Sequence, residues 1–176
     1  MKIKELKETV NLDGATASFA DKILSVKGPT GEIKRKFNET GMEIKIDDNK
    51  IFVQSKKINK HQKIKVCTAA AHIKNMVRGA KQKFVYKLKI CSGHFPMNVS
   101  VSGNTFTIKN FLGEKVPREM KFNQTVSVKI SGAEVTVEGN DLELAGQTAA
   151  AIEQLTRITN RDRRIFQDGV YITSKP

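Results

Sequence analysis

Residues 42–55 read MEIKIDDNKIFVQS and residues 126–139 read VSVKISGAEVTVEG, so the chain carries one pattern twice. The two stretches align without a gap at an offset of 84 residues, and each holds two short alternating strands joined by a polar turn. A repeat of this length is far longer than the units of a solenoid. The pair therefore predicts two tandem domains of similar fold.

Two further matches flank this pair in the same order. Upstream, Lys27 precedes Gly31-Glu32 as Lys109 precedes Gly113-Glu114, at an offset of 82. Downstream, Thr68-Ala69-Ala70-Ala71 matches Thr148-Ala149-Ala150-Ala151 at an offset of 80. We expect each of these to open a helix, with the threonine hydroxyl as its cap. The order predicts an internal duplication, with one domain over residues 1–80 and the second over residues 81–176.

The dominant periodicity elsewhere is two, which is typical of half-buried strands. Runs rich in β-branched and aromatic residues predict strands at residues 23–26, 44–46, 50–53, 84–90, 99–101, 105–108, 126–130 and 135–137. The links Asp47-Asp48-Asn49, Gly103-Asn104 and Ser131-Gly132 favour antiparallel hairpins, because Gly and Asn tolerate the positive φ of tight turns.

Each half closes with one amphipathic helix. The first carries Ala69, Ile73, Met76, Val77 and Ala80 at helical spacing and is expected to end at Gly79; the second carries Ala151, Leu155 and Ile158. The predicted fold class is α+β, a tandem duplication in which each domain packs an antiparallel sheet against one helix.

The charge of the chain favours a polyanionic partner. Its 31 Lys/Arg and 18 Asp/Glu give a net charge of +13, of which residues 1–80 contribute +8 and residues 81–176 contribute +5. Such a field attracts nucleic acid first and an anionic membrane second. No apolar run approaches the roughly 20 residues that span a bilayer, and residues 1–11 lack the apolar segment of a secretory signal. We expect nucleic acid and no membrane.

Four of the seven arginines lie close together, at Arg157, Arg161, Arg163 and Arg164. Because a guanidinium binds phosphate bidentately and stacks on bases, this segment is a candidate contact with structured RNA. The alternative is a solvated basic tail. Apolar residues follow at Ile165, Phe166, Val170, Tyr171 and Ile172. They predict a segment that folds back on the second domain, with Asp168-Gly169 at its turn.

A second basic stretch, residues 56–65, holds five lysines and is interpreted as a strand or an exposed loop. Its lysines could neutralise phosphates or protect a sheet edge from unwanted pairing. The sequence leaves both alternatives open.

Cys67, His72, Cys91 and His94 form a candidate zinc set, with spacings Cys-x4-His and Cys-x2-His. The paired Cys-x2-Cys knuckles of structural zinc sites are missing, so we expect no metal and instead two reduced, buried cysteines. Phosphate-loop and dinucleotide-loop glycine patterns are missing too. We therefore expect no cofactor, no small-molecule substrate and no catalytic residues, and an enzyme acting on RNA is the weaker hypothesis.

Several strings in the chain are specific enough to indicate a family. They are Val26-Lys27-Gly28-Pro29, Asn75-Met76-Val77-Arg78-Gly79, His94-Phe95-Pro96-Met97-Asn98-Val99, Asn110-Phe111-Leu112-Gly113-Glu114-Lys115 and Asp168-Gly169-Val170-Tyr171. Over nearly its whole length the chain resembles protein six of the large ribosomal subunit, called ribosomal protein nine in eukaryotes. The tail from Asn160 to Phe166 is similar to the eukaryotic or archaeal form.

The resemblance implies a structural, non-enzymatic constituent of the large ribosomal subunit in the cytoplasm, and it allows a nucleolar stage during assembly. It implies a place near the stalk base and the factor-binding, sarcin–ricin region. Large-subunit rRNA and neighbouring large-subunit and stalk-base proteins would be the partners. The alternative function is a free-standing RNA-binding module outside the ribosome.

The second domain would make the main contacts with rRNA. Carried onto this sequence, the rRNA-binding residues are Lys109, Asn110, Lys115, Arg157, Asn160, Arg161, Arg163 and Arg164. A weaker candidate is the loop Gly139-Asn140-Asp141.

Overall fold

The computed structural model describes residues 6–38, 41–47, 49–55 and 59–176. The chain forms two compact units, residues 1–83 and residues 84–176, so the boundary lies just beyond the one expected from the repeat.

The first unit contains six strands and one helix among its described residues. They are β1 (Leu6–Asn11), β2 (Thr16–Ala20), β3 (Ile23–Gly28), β4 (Gly31–Lys36), β5 (Glu43–Asp47), β6 (Lys50–Ser55) and α1 (Lys60–Lys81). The strands form two antiparallel sheets, in the orders β1-β6-β5 and β2-β3-β4. Helix α1 packs on β1, β3, β4 and β6, so the core lies between the helix and the sheets.

The second unit repeats this plan and adds to it. Its elements are β7 (Phe84–Cys91), β8 (Asn98–Ser102), β9 (Thr105–Lys109), a 3₁₀ turn (Phe111–Gly113), β10 (Arg118–Lys121), β11 (Val126–Ser131), β12 (Glu134–Gly139), α2 (Leu142–Leu155) and β13 (Gly169–Ser174). The sheet orders are β10-β9-β8 and β11-β12-β7-β13. Strand β13 has no counterpart among the described residues of the first unit.

Strand register confirms the duplication. Ile44 pairs with Val53 in the first unit as Val128 pairs with Val137 in the second, and the whole hairpin keeps the same offset. Gly103 and Gly132 lie in the predicted turns with φ of 57° and 60°. The Asp47-Asp48-Asn49 link lies partly outside the described residues. The α+β class with one helix per unit is therefore confirmed.

The predicted helix starts were wrong. Helix α1 begins at Lys60, where the Asn59 side chain accepts a hydrogen bond from the Gln62 amide at 2.7 Å. Helix α2 begins at Leu142, where Asp141 accepts from the Glu143 amide at 2.8 Å. These side chains satisfy amides that have no partner within the helix. Thr68 and Thr148 lie inside the helices, so neither is a cap.

The alanine triplets are also one residue out of structural register. Buried positions Val66, Ala69, Ala70 and Ile73 of α1 correspond to Ala145, Thr148, Ala149 and Ile152 of α2, an offset of 79 and not 80. One residue turns a helix by about 100°, so the matched strings do not join equivalent positions. The stripe predicted for α2 was therefore wrong: Ile158 lies beyond the helix, which ends at Leu155. Helix α1 continues past Gly79 to Lys81.

The prediction of a strand or an exposed loop for the basic stretch at residues 56–65 was wrong for the residues that the structure describes. Residues 60–65 form the first turns of α1, not a strand or a loop, because Asn59 starts the helix and Val66 already belongs to its buried face. Protection of a sheet edge no longer explains those lysines; residues 56–58 lie outside the described residues. Cys67 is exposed on α1, contrary to the expected buried thiol, and Cys91 is half-buried.

The C-terminal segment does fold back, because β13 pairs antiparallel with β7. The turn itself is not at Asp168-Gly169. It forms earlier, where the Asp162 carbonyl accepts hydrogen bonds from the Ile165 and Phe166 amides at 3.1 and 2.9 Å. Asp168 is buried, and β13 begins at Gly169.

The turn between β3 and β4 holds the end of α1. The Thr30 hydroxyl donates to the Gly79 carbonyl at 2.6 Å, and the Thr30 amide donates to the Ala80 carbonyl at 3.1 Å. Gly28 allows this approach, since a Cβ there would lie 2.3 Å from the Ala80 carbonyl oxygen. The Gly28-Pro29-Thr30-Gly31 stretch is thus a turn, as predicted, and it seats the helix.

Gly28→Ala should therefore destabilise the protein by about 1–3 kcal/mol, the usual cost of forcing extra volume into a packed contact. The sign of the change in unfolding free energy tests the contact. Gly28 is outside the positive-φ region, and alanine at a position without such a contact usually stabilises a protein by about 0.4–1 kcal/mol. Urea unfolding of the full chain measures the change. An unchanged or raised free energy of unfolding would show that the turn does not press on the helix.

Candidate nucleic-acid interface

All eight predicted contact residues lie in the second unit, and all are exposed. They occupy two stretches. We call residues 109–117, which contain Lys109, Asn110 and Lys115, the basic loop. Residues 157–167, which contain Arg157, Asn160, Arg161, Arg163 and Arg164, are the arginine segment.

The basic loop is where the two copies of the repeat differ. In the first unit, Gly28 pairs with Gly31, so only two residues connect β3 and β4. In the second unit, the last pair between β9 and β10 is Ile108 with Arg118, which leaves nine residues between them. The second copy therefore has a nine-residue loop at the place where the first copy has a tight turn.

The backbone of the basic loop is strained and firmly anchored. Asn110, Leu112 and Gly113 have φ of 61°, 50° and 80°, and a leucine in this left-handed region is uncommon. Phe111 and Leu112 are both buried and hold the loop to the core. The Asn110 side chain donates to the Pro96 carbonyl at 3.0 Å. Strain of this kind persists only where the surroundings enforce it, and it clusters at functional sites.

Arg118 joins the basic loop to the arginine segment. Its Nε and Nη2 donate to the two carboxylate oxygens of Glu114 at 2.8 and 2.6 Å. Its Nη1 donates to the carbonyls of Leu155 and Arg157 at 2.7 and 3.3 Å, at the end of α2. The guanidinium also lies over the Phe111 ring, 4.3 Å from its centroid. A single side chain thus fixes both stretches to the same helix end.

The charge on Glu114 reports the same proximity. Its hydrogen bonds from Arg118 lower the pKa of the Glu114 carboxyl, and the positive charges of Arg118 and Arg161 lower it further. Arg161 is therefore close enough to the basic loop for its field to act there. The two stretches form one cationic surface.

Within the arginine segment, neighbouring side chains contact two of the four guanidinium groups, those of Arg161 and Arg164. Arg161 lies over the Phe166 ring at 4.9 Å, and the His94 ring lies 4.8 Å from the same phenylalanine. Arg164 donates through Nε and Nη2 to Asp162 at 3.2 and 2.9 Å, which lowers the pKa of the Asp162 carboxyl. Even so, the Arg164 side chain is 90% exposed. Asn160 has φ of 60°, a conformation that asparagine tolerates better than most residues.

Asp168 anchors the end of the segment. Its carboxylate is buried and accepts hydrogen bonds from the amides of Gly93 and His94. His94 Nδ1 lies 3.2 Å from the other carboxylate oxygen. A shallow pocket of about 600 Å³ adjoins this contact, lined in part by Cys91, Ile165 and Tyr171. Asp168 thus ties the loop after β7 to the start of β13.

The four residues of the candidate zinc set have other surroundings. Cys67 and His72 lie on α1, whereas Cys91 and His94 belong to the second unit. His94 faces Asp168, and His72 Nε2 lies 3.3 Å from an Arg35 guanidinium nitrogen. Among the described residues, no three His, Cys, Asp or Glu side chains are grouped as metal ligands. No helix in the described ranges is long and apolar enough to cross a membrane.

Sequence reasoning missed the residues that position the surface, namely Arg118, Glu114, Asp168 and His94. The spacing of four residues between Glu114 and Arg118 gave no signal, because it favours an ion pair on a helix and residues 114–117 are not helical. Asp168 gave no signal, because its partners are 74 and 75 residues away. In the weaker candidate loop, Asp141 caps α2.

Comparison with known proteins agrees with the duplicated fold. A model of the ribosomal protein L6 family matches residues 12–83 and again residues 95–169. The chain is 42% identical over 174 residues to large ribosomal subunit protein uL6 of Methanosarcina mazei, covering 98% of this chain and 99% of the relative. It is 48% identical over 150 residues to the uL6 protein of Methanococcus vannielii, covering 85% and 82%. For the uL6 protein of Archaeoglobus fulgidus the identity is 42% over 175 residues, covering 99% and 89%.

These relatives are archaeal, in keeping with the eukaryotic or archaeal character of the tail. With matches in both units and alignments along nearly the whole chain, the protein belongs to the ribosomal protein L6 family.

Proposed function

We propose that this protein is a structural, non-enzymatic constituent of the large ribosomal subunit that binds large-subunit rRNA through the basic loop and the arginine segment. The observation that carries the proposal is the Arg118 contact, which turns two separate basic stretches into one fixed cationic surface in a member of the L6 family. The relatives named above are large ribosomal subunit proteins.

The chemistry of the surface suits folded RNA. Double-stranded RNA is recognised mostly through phosphates, 2′-hydroxyls and shape, because its deep major groove excludes side chains. Such contacts require cations and polar backbone at fixed positions more than a helix that reads bases. Lys109, Lys115 and the four arginines of the segment supply the cations, and the strained basic loop supplies fixed backbone.

The contacts within the surface are compatible with phosphate binding. Stacking on Phe166 uses the face of the Arg161 guanidinium, whereas phosphate is bound by its N–H edge. Asp162 orders Arg164 while leaving most of its side chain exposed. Side chains that are ordered before binding lose less conformational entropy when the RNA arrives.

The family resemblance supports a finer placement. We propose that the surface lies near the stalk base and the sarcin–ricin region, with stalk-base proteins as further neighbours. We also propose a cytoplasmic ribosomal location, with a nucleolar stage during assembly where the cell has a nucleolus.

Membership of the particle is tested by sedimentation. A tagged copy of the full chain should co-migrate with large subunits on a sucrose gradient after a high-salt wash, because a surface of several phosphate contacts within an assembled particle is slow to dissociate. A tagged chain that remains at the top of the gradient would instead support the free-standing RNA-binding module.

The arginine segment is tested by salt dependence. Replacing Arg161, Arg163 and Arg164 with alanine should weaken binding to a large-subunit rRNA transcript. It should also reduce the slope of log K against log salt by up to about 0.7–0.9 per lost phosphate contact. The control replaces Lys87, Lys89 and Lys175, exposed lysines outside the proposed surface, with the same loss of charge. An unchanged slope for the arginine variant, or an equal change in the control, would remove the segment from the interface.

The Glu114 contact predicts a pH-dependent contribution to stability. Because the pKa of Glu114 is lower in the folded protein, its contribution is present above the unfolded pKa of about 4.3 and is lost as the pH falls through the lower folded value. Glu114→Gln should lower the free energy of unfolding by up to about 1 kcal/mol at pH 7, since this pair is partly exposed.

Urea unfolding of both proteins between pH 7 and pH 3 measures this effect, and the difference should shrink below about pH 4. Glu134→Gln, at another exposed glutamate of the second unit, is the control and should stay within about 0.5 kcal/mol at pH 7. A difference at Glu114 that persists unchanged at pH 3 would show that the charge of the carboxylate does not hold the loop.

A further inference from the structure

Most of the positive charge lies outside the proposed surface. Residues 1–83 hold 19 Lys/Arg and 9 Asp/Glu, a net charge of +10, whereas residues 84–176 hold 12 and 9, a net charge of +3. The basic loop and the arginine segment both belong to the less charged unit. The cations of the first unit therefore need another explanation.

Helix α1 concentrates these cations on one side. Its 22 residues include six Lys/Arg and no Asp/Glu. Five of the six are exposed and lie within an arc of about 60° on a helix of 3.6 residues per turn. We call this set, Lys60, Lys63, Lys74, Arg78 and Lys81, the basic face. Its cations extend over 21 residues of helix, or about 32 Å.

Three of the five cations do not serve the stability of the helix, whereas Arg78 and Lys81 lie in its last turn, where the dipole favours positive charge. Lys60 and Lys63 lie in the first turn, where the helix dipole is positive and where α1 has no acidic residue. Lys60 and Lys63, and likewise Lys74 and Arg78, are spaced so that like charges repel. Lys81 is paired with Asp13 at 3.2 Å, an interaction from outside the helix. At Lys60, Lys63 and Lys74 the helix thus carries an electrostatic cost that a bound polyanion would remove.

The side chains between the cations decide which polyanion fits. Cys67 is the exposed residue between the cations on this arc, and Ala71 lies about 20° beyond its edge. Both are small, so a backbone can approach closely, and the larger exposed Ile64 lies about 40° outside the arc. Protein interfaces are depleted in lysine and depend on aromatic anchors, which this face lacks. Lysine is, in contrast, an ordinary phosphate binder. The composition of the face therefore favours RNA over an acidic protein.

We propose that the basic face of α1 is a second rRNA-binding surface, which contacts the phosphate backbone of a different RNA segment from the one held by the second unit. The proposal rests on the proposed function in one respect, that the polyanion is large-subunit rRNA. It depends on none of the residues of the basic loop or the arginine segment.

The test uses the full chain and a large-subunit rRNA transcript. One variant carries Lys60→Gln, Lys63→Gln and Lys74→Gln; glutamine keeps helix propensity close to that of lysine. The control carries Lys36→Gln, Lys45→Gln and Lys50→Gln, which removes the same charge from exposed strand positions of the same unit. Both sets are made in the wild-type chain and in the chain with Arg161, Arg163 and Arg164 replaced by alanine.

The α1 variant should reduce the slope of log K against log salt by about 2–3 in both backgrounds, whereas the control should leave it unchanged. Hydroxyl-radical footprinting should show rRNA protections that disappear in the α1 variant and persist in the arginine variant. The free energy of unfolding of the α1 variant in urea should equal or exceed that of the wild type, because repelling charges have been removed.

An unchanged slope in the α1 variant, or an equal reduction in the control, would overturn the proposal. The proposal would also be overturned if the α1 variant lost binding to polyglutamate but kept its binding to rRNA, because the face would then bind acidic protein. A slope that falls in the α1 variant but not in the arginine variant would support the second surface and reject the first. A slope that falls in the arginine variant but not in the α1 variant would keep the proposed function and reject this inference.

Discussion

The last carbonyls of a helix have no partners within the helix, and both units of this protein must satisfy them against a small sheet. In the first unit, the turn between β3 and β4 does so with the amide and hydroxyl of Thr30. In the second unit, the guanidinium of Arg118 at the start of β10 donates to the carbonyls of Leu155 and Arg157. The two contacts occupy equivalent places in the repeat, and the difference between them affects the length of the connection between the strands.

The Thr30 contact of the first unit requires a short turn, because only a close backbone brings Thr30 to the helix and only a glycine fits at position 28. The Arg118 contact of the second unit acts through a long side chain, so the connection between β9 and β10 can be longer without releasing the helix. The basic loop uses this freedom, and it is tied back by the same guanidinium through Glu114. The second copy of the scaffold thus combines a longer, cationic loop with a side-chain contact that still holds the end of the helix.

The sequence predicted the hairpins well because each strand pair is coded locally, by alternation and by turn residues such as Gly103 and Gly132. It predicted no strand at β1, β2, β4 or β10; in β4 and β10, GEIKRK and REMK are mostly charged and alternate weakly. Helix starts failed where the caps, Asn59 and Asp141, lie well before the alanine triplets. The cations of the candidate surface stay a prediction from the sequence, and the groups that position them were not predicted. Contacts such as Asp168 with Gly93 join residues far apart in the chain, and no local pattern encodes them.

The two units use positive charge in different ways. In the second unit, Glu114 binds Arg118, Asp162 binds Arg164, and Asp168 anchors the end of the arginine segment. These acids also keep the net charge of the unit low. In the first unit, α1 has no acid on the helix to order its lysines, and the net charge is high. Ordered arginines favour contacts of defined geometry, whereas solvated lysines favour contacts that depend on charge density and salt. Net charge alone therefore indicates where a polyanion is attracted, and the ordering of individual guanidinium groups indicates where it is held in one position.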